Sequence, residues 1–446
     1  MTSGGPEQAA AAEDRDRIRD AGRELLYGEA RGDTLRRFEE TARRAVDGLV
    51  SSSIDRGSRV VVTGGTGCIG EEVLRLLQHE DLGSLTSVSR RLPSGRAVPG
   101  VHYRACDIQD LVALYNVFRE ARPDVVVHLA AQRDPARAEV DVLGTIATNV
   151  IGTHNTLEVA GRLGASSIAV ASTGKAMRYY TSSVYAATKK VVEHLTVRAR
   201  LHWNYSANCA RFTHVVNNSL VYDKFLRATL RGAPIPLHAA NVRFYVQSAL
   251  ESAQLVLAAA GSGGAGTFAL RDLGEPIELV ELARDHAARD GVEPVLDIVG
   301  YEQGYEGSAH PATYDASSVD RSSLVNALEA RTTIPFAGAP NSVDVVPSVD
   351  RVAVDFEERL ATLIALVRLG ADPASLRAAL SAASVSMLRE SLADVDERRL
   401  TTMLRSSSLS TEPRSPDHVL VDAELAMAVS ERAASHGSRQ SIESES

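Results

Sequence analysis

The stretch Val60-Val61-Val62-Thr63-Gly64-Gly65-Thr66-Gly67-Cys68-Ile69-Gly70 constrains this chain more than any other. Three consecutive valines suit a strand buried on both faces, and they run straight into a glycine-rich turn. Apolar residues at helical spacing follow, at Val73, Leu74, Leu76 and Leu77. The glycines at 64, 67 and 70 allow a tight turn and a close approach of backbone to a pyrophosphate. The helix N-terminus behind them offers free N–H groups and a positive dipole end. The strand before and the helix after supply the context this fingerprint requires, so the sequence predicts a dinucleotide-binding unit. Its candidate contacts are Gly64, Thr66, Gly67, Cys68, Ile69 and Gly70.

Strands and helices alternate beyond this loop. Strand patterns lie at Leu85–Ser89, Val101–Cys106, Val125–Leu129, Ser167–Ala171 and Ala207–Phe212, with helical patterns at 110–121, 143–163 and 184–200. Such alternation implies an α/β fold with a doubly wound parallel sheet, whose ligands sit beyond the carboxyl ends of the strands. Two helical patterns, 13–27 and 33–50, precede the first strand as an addition to this core. From 213 the pattern turns irregular, then gives helices near 246–260 and 277–289, and again at 351–369 and 373–404. Asp372-Pro373 reads as a cap and first turn. The expected organisation is an N-terminal helical extension (1–56) and a catalytic domain (57–335) whose substrate-binding part starts near 213. A C-terminal helical region (336–406) and a mobile tail (407–446) with one short helical pattern follow.

Composition narrows the partners. A net charge of −9 argues against nucleic acid or an anionic membrane as the main partner. No apolar run is long enough to cross a bilayer, and the start of the chain lacks the layout of a secretory signal. Cys68, Cys106 and Cys209 are too widely spaced for a disulfide framework or a zinc site, so no metal is expected. The expectation is a soluble, cytoplasmic protein.

The chemistry follows the strands. After the second comes Ser89-Arg90-Arg91, where a cation in place of an acid suits a 2′-phosphate and favours NADP over NAD. Asp107, beside Ile108, can accept from an adenine amino group, and the small residues of Leu129-Ala130-Ala131 allow backbone to lie near a cofactor. Tyr185 and Lys189 share one helix face, so an ammonium can favour a phenolate that takes a proton from a carbinol. The preceding strand ends in Ser172-Thr173, whose hydroxyls can hold a substrate oxygen, and Asn149 lies on the helix before it.

With these landmarks the chain resembles the extended short-chain dehydrogenase/reductases, within them the polysaccharide-biosynthesis group of UDP-N-acetylglucosamine 4,6-dehydratases. The resemblance spans about 58–305 and adds Arg243-Phe244 and Leu273-Gly274-Glu275-Pro276 to the landmarks. It implies oxidation of a sugar hydroxyl with a tightly bound NADP, elimination of water from the neighbouring carbons, and return of the hydride. It also implies a homo-oligomer. The family pattern Ser-Thr-Asp-Lys-Ala places Lys175 as the base, but Gly174 stands where the acid belongs, and the spacer Met177–Val184 is longer than the pattern. Candidate replacement acids are Asp134, Glu139, Tyr179, Tyr180, Ser182 and Ser183. In the substrate half, Arg211-Phe-Thr-His-Val215 departs from the family's Arg-x-Gly-Asn-Val. Glu302 stands where an arginine would clamp a diphosphate; a carboxylate there repels that group.

These observations predict redox-neutral dehydration of a sugar unit on a nucleoside, a glycoside or a nucleotide sugar. An adenine nucleoside of a hexulose would suit this chemistry. Thr173, Lys175, Tyr185 and Lys189 are the expected catalytic residues; Arg133, Asp134, Ser172, His214, Asn217, Arg243 and Glu302 are candidates for the substrate. The rival readings are an epimerase or simple oxidoreductase, and a non-catalytic NADP-binding scaffold.

Overall fold

Runs of β-branched residues build the sheet that the sequence predicts, and the computed structural model shows how it is extended. It describes residues 32–49, 54–93, 95, 97–239, 242–289, 291, 295–299, 324–348, 351–408 and 415–444. The helical pattern at 13–27 and Glu302 lie outside the described residues.

The central sheet comprises β1 (Arg59–Thr63), β2 (Ser84–Ser89), β3 (Val101–Ala105), β4 (Val125–His128), β5 (Ser167–Thr173), β6 (Ser206–Phe212), β7 (Gly266–Leu270), β8 (Ile334–Pro335) and β9 (Val343–Pro347). Its order is β3-β2-β1-β4-β5-β6-β7-β9-β8. Val60 of β1 pairs with Leu85 on one side and Val125 on the other, both in parallel register. The order therefore reverses between β1 and β4, and their carboxyl ends open a crevice there. Strands β1 to β7 run parallel, whereas β9 pairs antiparallel with β7 and β8 antiparallel with β9. The last three strands correct the sequence reading, which assigned no strand beyond Phe212 to the sheet.

The helices, in chain order, are α1 (Asp33–Thr41), α2 (Cys68–Leu77), α3 (Leu111–Ala121), α4 (Pro135–Val140), α5 (Val142–Ile146), α6 (Gly152–Arg162) and α7 (Val184–Trp203). They continue with α8 (Leu220–Leu230), α9 (Ala249–Gly261), α10 (Leu279–Arg289), α11 (Phe356–Arg368), α12 (Pro373–Leu392), α13 (Glu397–Ser408) and α14 (Pro416–Ser444). The single helix expected over 143–163 is α5, a π turn at Ala147–Ile151, and α6. The one expected over 373–404 breaks between α12 and α13, and the tail carries a helix longer than the pattern at 420–435.

Two appendages turn out to be parts of the core. Leu35, Phe38 and Ala42 of the N-terminal extension are buried with Tyr222, Phe225, Leu237 and Leu282 of the irregular half. Asp285 accepts from the backbone N–H of Thr34 and Leu35 at 2.9 and 3.0 Å, which caps α1 from α10. At the other end, Phe356, Leu360, Leu363, Leu376, Leu380 and Met387 of α11 and α12 join Val184, Val191 and Leu195 of α7 in one cluster. Each such side chain contributes roughly 1.5–3 kcal/mol, so α7 is held from both its sheet side and its outer side. No helix among the described residues is long and apolar enough to cross a membrane.

Candidate active site

A cleft of about 940 Å³ opens at the carboxyl ends of β1, β4 and β5. The glycine loop forms one wall. Gly64 has φ +74°, and a Cβ there would lie 2.7 Å from Ala130 N, because the loop after β4 presses against it. A Cβ on Gly70 would meet the Gly64 carbonyl at 2.3 Å, so the first turn of α2 sits directly on the loop. Thr66, Gly67, Cys68 and Ile69 line the opening, with Gly67 as the N-cap of α2. Ser89, Arg90, Asp107, Ile108, Leu129, Ala130 and Ala131 line the same cleft, with Arg91 beside them. Arg90 and Arg91 are exposed on the loop after β2, while Asp107 accepts from Gln109 N at 3.0 Å. A backbone cradle that tolerates no side chain, with cations at its far end, fits a dinucleotide.

Tyr185 stands on the first turn of α7, and the side chain of Thr173, at the end of β5, is the hydrogen-bonding group that acts on its phenol. Burial pushes the phenol up, and the Thr173 bond and the Arg133 charge draw it back down. The charge that acts on the phenol in this structure is that of Arg133. Lys189 donates to the Ala171 carbonyl at 2.8 Å, and burial lowers its ammonium to about 8. Lys175 lines the cleft from the 3₁₀ turn Gly174–Met177 that follows β5. His214, also on the lining, pairs with Ser219 Oγ at 2.6 Å; burial, then the charges of Arg133 and Lys175, lower it to about 4. Arg133 reaches across to Asn218, donating to its backbone and side-chain oxygens at 3.0 and 2.9 Å. Arg243 lines the cleft at 3.6 Å from Glu278.

Several expected residues serve the walls instead. Successive strand residues point to opposite faces, so Ser172 turns away from Thr173 and donates to Glu193 at 2.6 Å. Glu193 in turn pairs with Arg211, which also binds Glu329 and the Leu324 carbonyl, a buried network that the sequence did not reveal. Asn149 is fully buried in the π turn, not on the cleft: it brackets the Gln132 backbone, accepting from its N–H at 2.8 Å and donating to its carbonyl at 3.1 Å. Asn217 fastens the N-terminal extension through the Ala42 carbonyl.

None of the candidate replacement acids is on the described lining of the cleft. Asp134 caps α4, Glu139 is bound by Val184 N and Arg377, and Tyr180 meets Ser381 at 2.7 Å. Tyr179 and Tyr180 are buried among the C-terminal helices, and Ser182 N donates to Asp417. The longer spacer therefore docks those helices. A Cβ at Gly174 would lie 2.7 Å from the side chain of the buried Leu324. Among the described residues, the carboxylates on the cleft lining are Asp107 and Asp141, and Asp141 caps α5.

Residues 60–304 match the family model described as polysaccharide biosynthesis protein. The chain belongs to that family. It is an extended short-chain dehydrogenase/reductase of the polysaccharide-biosynthesis group, with the Rossmann-type sheet of that class. It is 28% identical over 245 residues to the probable polysaccharide biosynthesis protein EpsC of Bacillus subtilis strain 168, across 52% of this chain and 40% of the relative. The chain thus spans well under half of that relative's length. A dTDP-glucose 4,6-dehydratase of Neisseria meningitidis serogroup B is 33% identical over 110 residues, across 23% of this chain and 31% of that one. Among solved structures, Pen from Bacillus thuringiensis superposes with a TM-score of 0.55 at 17% identity, covering 70% of this chain and 98% of that one, which supports the fold.

Proposed function

We propose that the protein is an NAD(P)-dependent sugar-modifying enzyme that removes water from a sugar unit without net redox change. The observation that carries this reading is the placement of Lys175 on the cleft directly beyond the Thr173–Tyr185 pair. A bound nicotinamide supplies reversible hydride transfer, and NADP suits the exposed Arg90 and Arg91. Thr173 orients the sugar hydroxyl and the Tyr185 phenolate takes its proton. Once that carbon is a carbonyl, the neighbouring C–H is acidic and the Lys175 amine can remove its proton. With no carboxylate at position 174, the Lys175 ammonium so formed hands the same proton to the departing hydroxyl. The water released then carries one proton from carbon, and Tyr185 returns the first proton as the alcohol re-forms. The substrate is a nucleoside, a glycoside or a nucleotide sugar, bound beside Arg133 and Arg243.

The packing of Leu324 on Gly174 favours a second reading, epimerisation or simple oxidoreduction, since it fills the space an acid would need. Mass spectrometry of the purified chain with UDP-N-acetylglucosamine, other nucleotide sugars and free nucleosides in deuterated water separates the two. Loss of one water with the cofactor unchanged supports dehydration. Deuterium uptake without water loss, or net cofactor reduction, overturns it in favour of the second reading.

A further inference from the structure

The helix carrying Tyr185 begins at an unusual support. Glu139, at the end of α4, has a side chain only 3% exposed, yet it is a carboxylate. Its Oε1 accepts from Val184 N, the first residue of α7, at 2.8 Å. Its Oε2 is bound by Arg377 Nη1 at 2.5 Å, and Arg377 Nη2 adds a bond of 2.7 Å to the Glu139 carbonyl. Arg377 lies on α12, outside the stretch 60–304 that the family model covers. One turn further along α12, Ser381 holds Tyr180 at 2.7 Å, in the segment that leads into α7. A negative charge at a helix N-terminus is favourable, but a buried one needs a counter-charge with satisfied bonds. Arg377 supplies both.

We propose that Arg377 is a positioning residue for Tyr185: through Glu139 it fixes the first turn of α7, so the C-terminal helices set the placement of the phenol in the cleft. This rests on the proposed role of Tyr185. Without Arg377 the carboxylate keeps its burial and loses its cation, and α4 and α7 separate to let water reach it. The Tyr185 hydroxyl, one residue from the support, then leaves its place beside Thr173. A lysine at 377 restores the charge with fewer bonds.

The test compares full-length wild type with Arg377→Met and Arg377→Lys on the compound that the substrate panel identifies. Arg377→Met is expected to lower kcat by roughly 10–100-fold, the scale of an ångström-sized misplacement, with KM and NADPH binding unchanged. Arg377→Lys is expected to recover most of that loss. A kcat for Arg377→Met equal to wild type, or a rise in KM alone, overturns the inference. If wild type turns over no compound, the functional reading fails instead. Hydrogen–deuterium exchange then decides the structural part: faster exchange of the amides at 184–189 in Arg377→Met supports it, and unchanged exchange overturns it.

Discussion

At Tyr185 the proposed chemistry depends on neighbours drawn from three elements. Burial works against the phenolate, and the opposing influences come from Thr173 on β5 and Arg133 on the loop after β4. Lys189 stays close by through its bond to the Ala171 carbonyl, on the strand that carries Thr173. With Tyr185→Phe the proposed proton acceptor is gone while the glycine cradle is untouched. Turnover is expected to fall by about 10²–10⁴-fold, with NADPH affinity kept in a fluorescence titration; undiminished turnover would remove Tyr185 from the mechanism. His128 plays a different part. It is 2% exposed, bridges Thr63 at 2.7 Å and Thr153 at 2.9 Å, and burial holds it neutral with its pKa lowered to about 3. Because the folded value lies below the ordinary 6.5, its contribution to stability is complete above pH 6.5 and is lost as pH falls through about 3. Thermal melts should therefore drop across that window, and His128→Gln, which can bridge both threonines without titrating, should flatten the drop. An unaltered slope would remove His128 as a cause.

Elements show which features local sequence can announce. The glycine loop, the parallel strands to β6 and the helix bearing Tyr185 and Lys189 follow from runs of adjacent residues, so they were legible. Thr173 was placed on the cleft by the same reasoning, because it ends a strand, whereas Lys175 came from the family pattern that the chain resembles. Strands β7, β8 and β9 were not legible: β8 is only the pair Ile334-Pro335, and β9 alternates only over Val343-Asp344-Val345 before it ends in Pro347. Partners far apart in the chain were equally hidden. The hydroxyls of Tyr179 and Tyr180 looked available in sequence, yet the helices that bury them begin far downstream. Position 174 is decided in the same way, by Leu324 across the fold. Gly174→Asp should therefore destabilise the chain by about 1–3 kcal/mol through overpacking, and Leu324→Ala in the same chain should restore much of the melting temperature. Equal melting of Gly174→Asp and wild type would show that Leu324 does not close the site.

On the scale of the whole molecule, both extensions pack against the family-matched region around the candidate site. The N-terminal extension completes the core under the substrate half, through Phe38 against Tyr222 and through Asn217 to the Ala42 carbonyl. The C-terminal helices cover α7 and grip both segments beside Lys175: the spacer through Tyr180 and Asp417, and the stretch after Leu324 through Arg399 to the Ala327 carbonyl. The described lining of the cleft that results carries Lys175, and its carboxylates, Asp107 and Asp141, are each bound to backbone N–H groups. The proposed mechanism gives one lysine, Lys175, both tasks: it removes the carbon-bound proton and delivers it to the leaving hydroxyl. The most direct measurement is product mass and nicotinamide absorbance for wild type and Lys175→Met, incubated with the responding compound in deuterated water. Wild type is expected to release water with the cofactor unchanged, whereas Lys175→Met is expected to reduce its bound cofactor once and then stop, with neither water loss nor deuterium in the sugar. Water loss by Lys175→Met at the wild-type rate would contradict it.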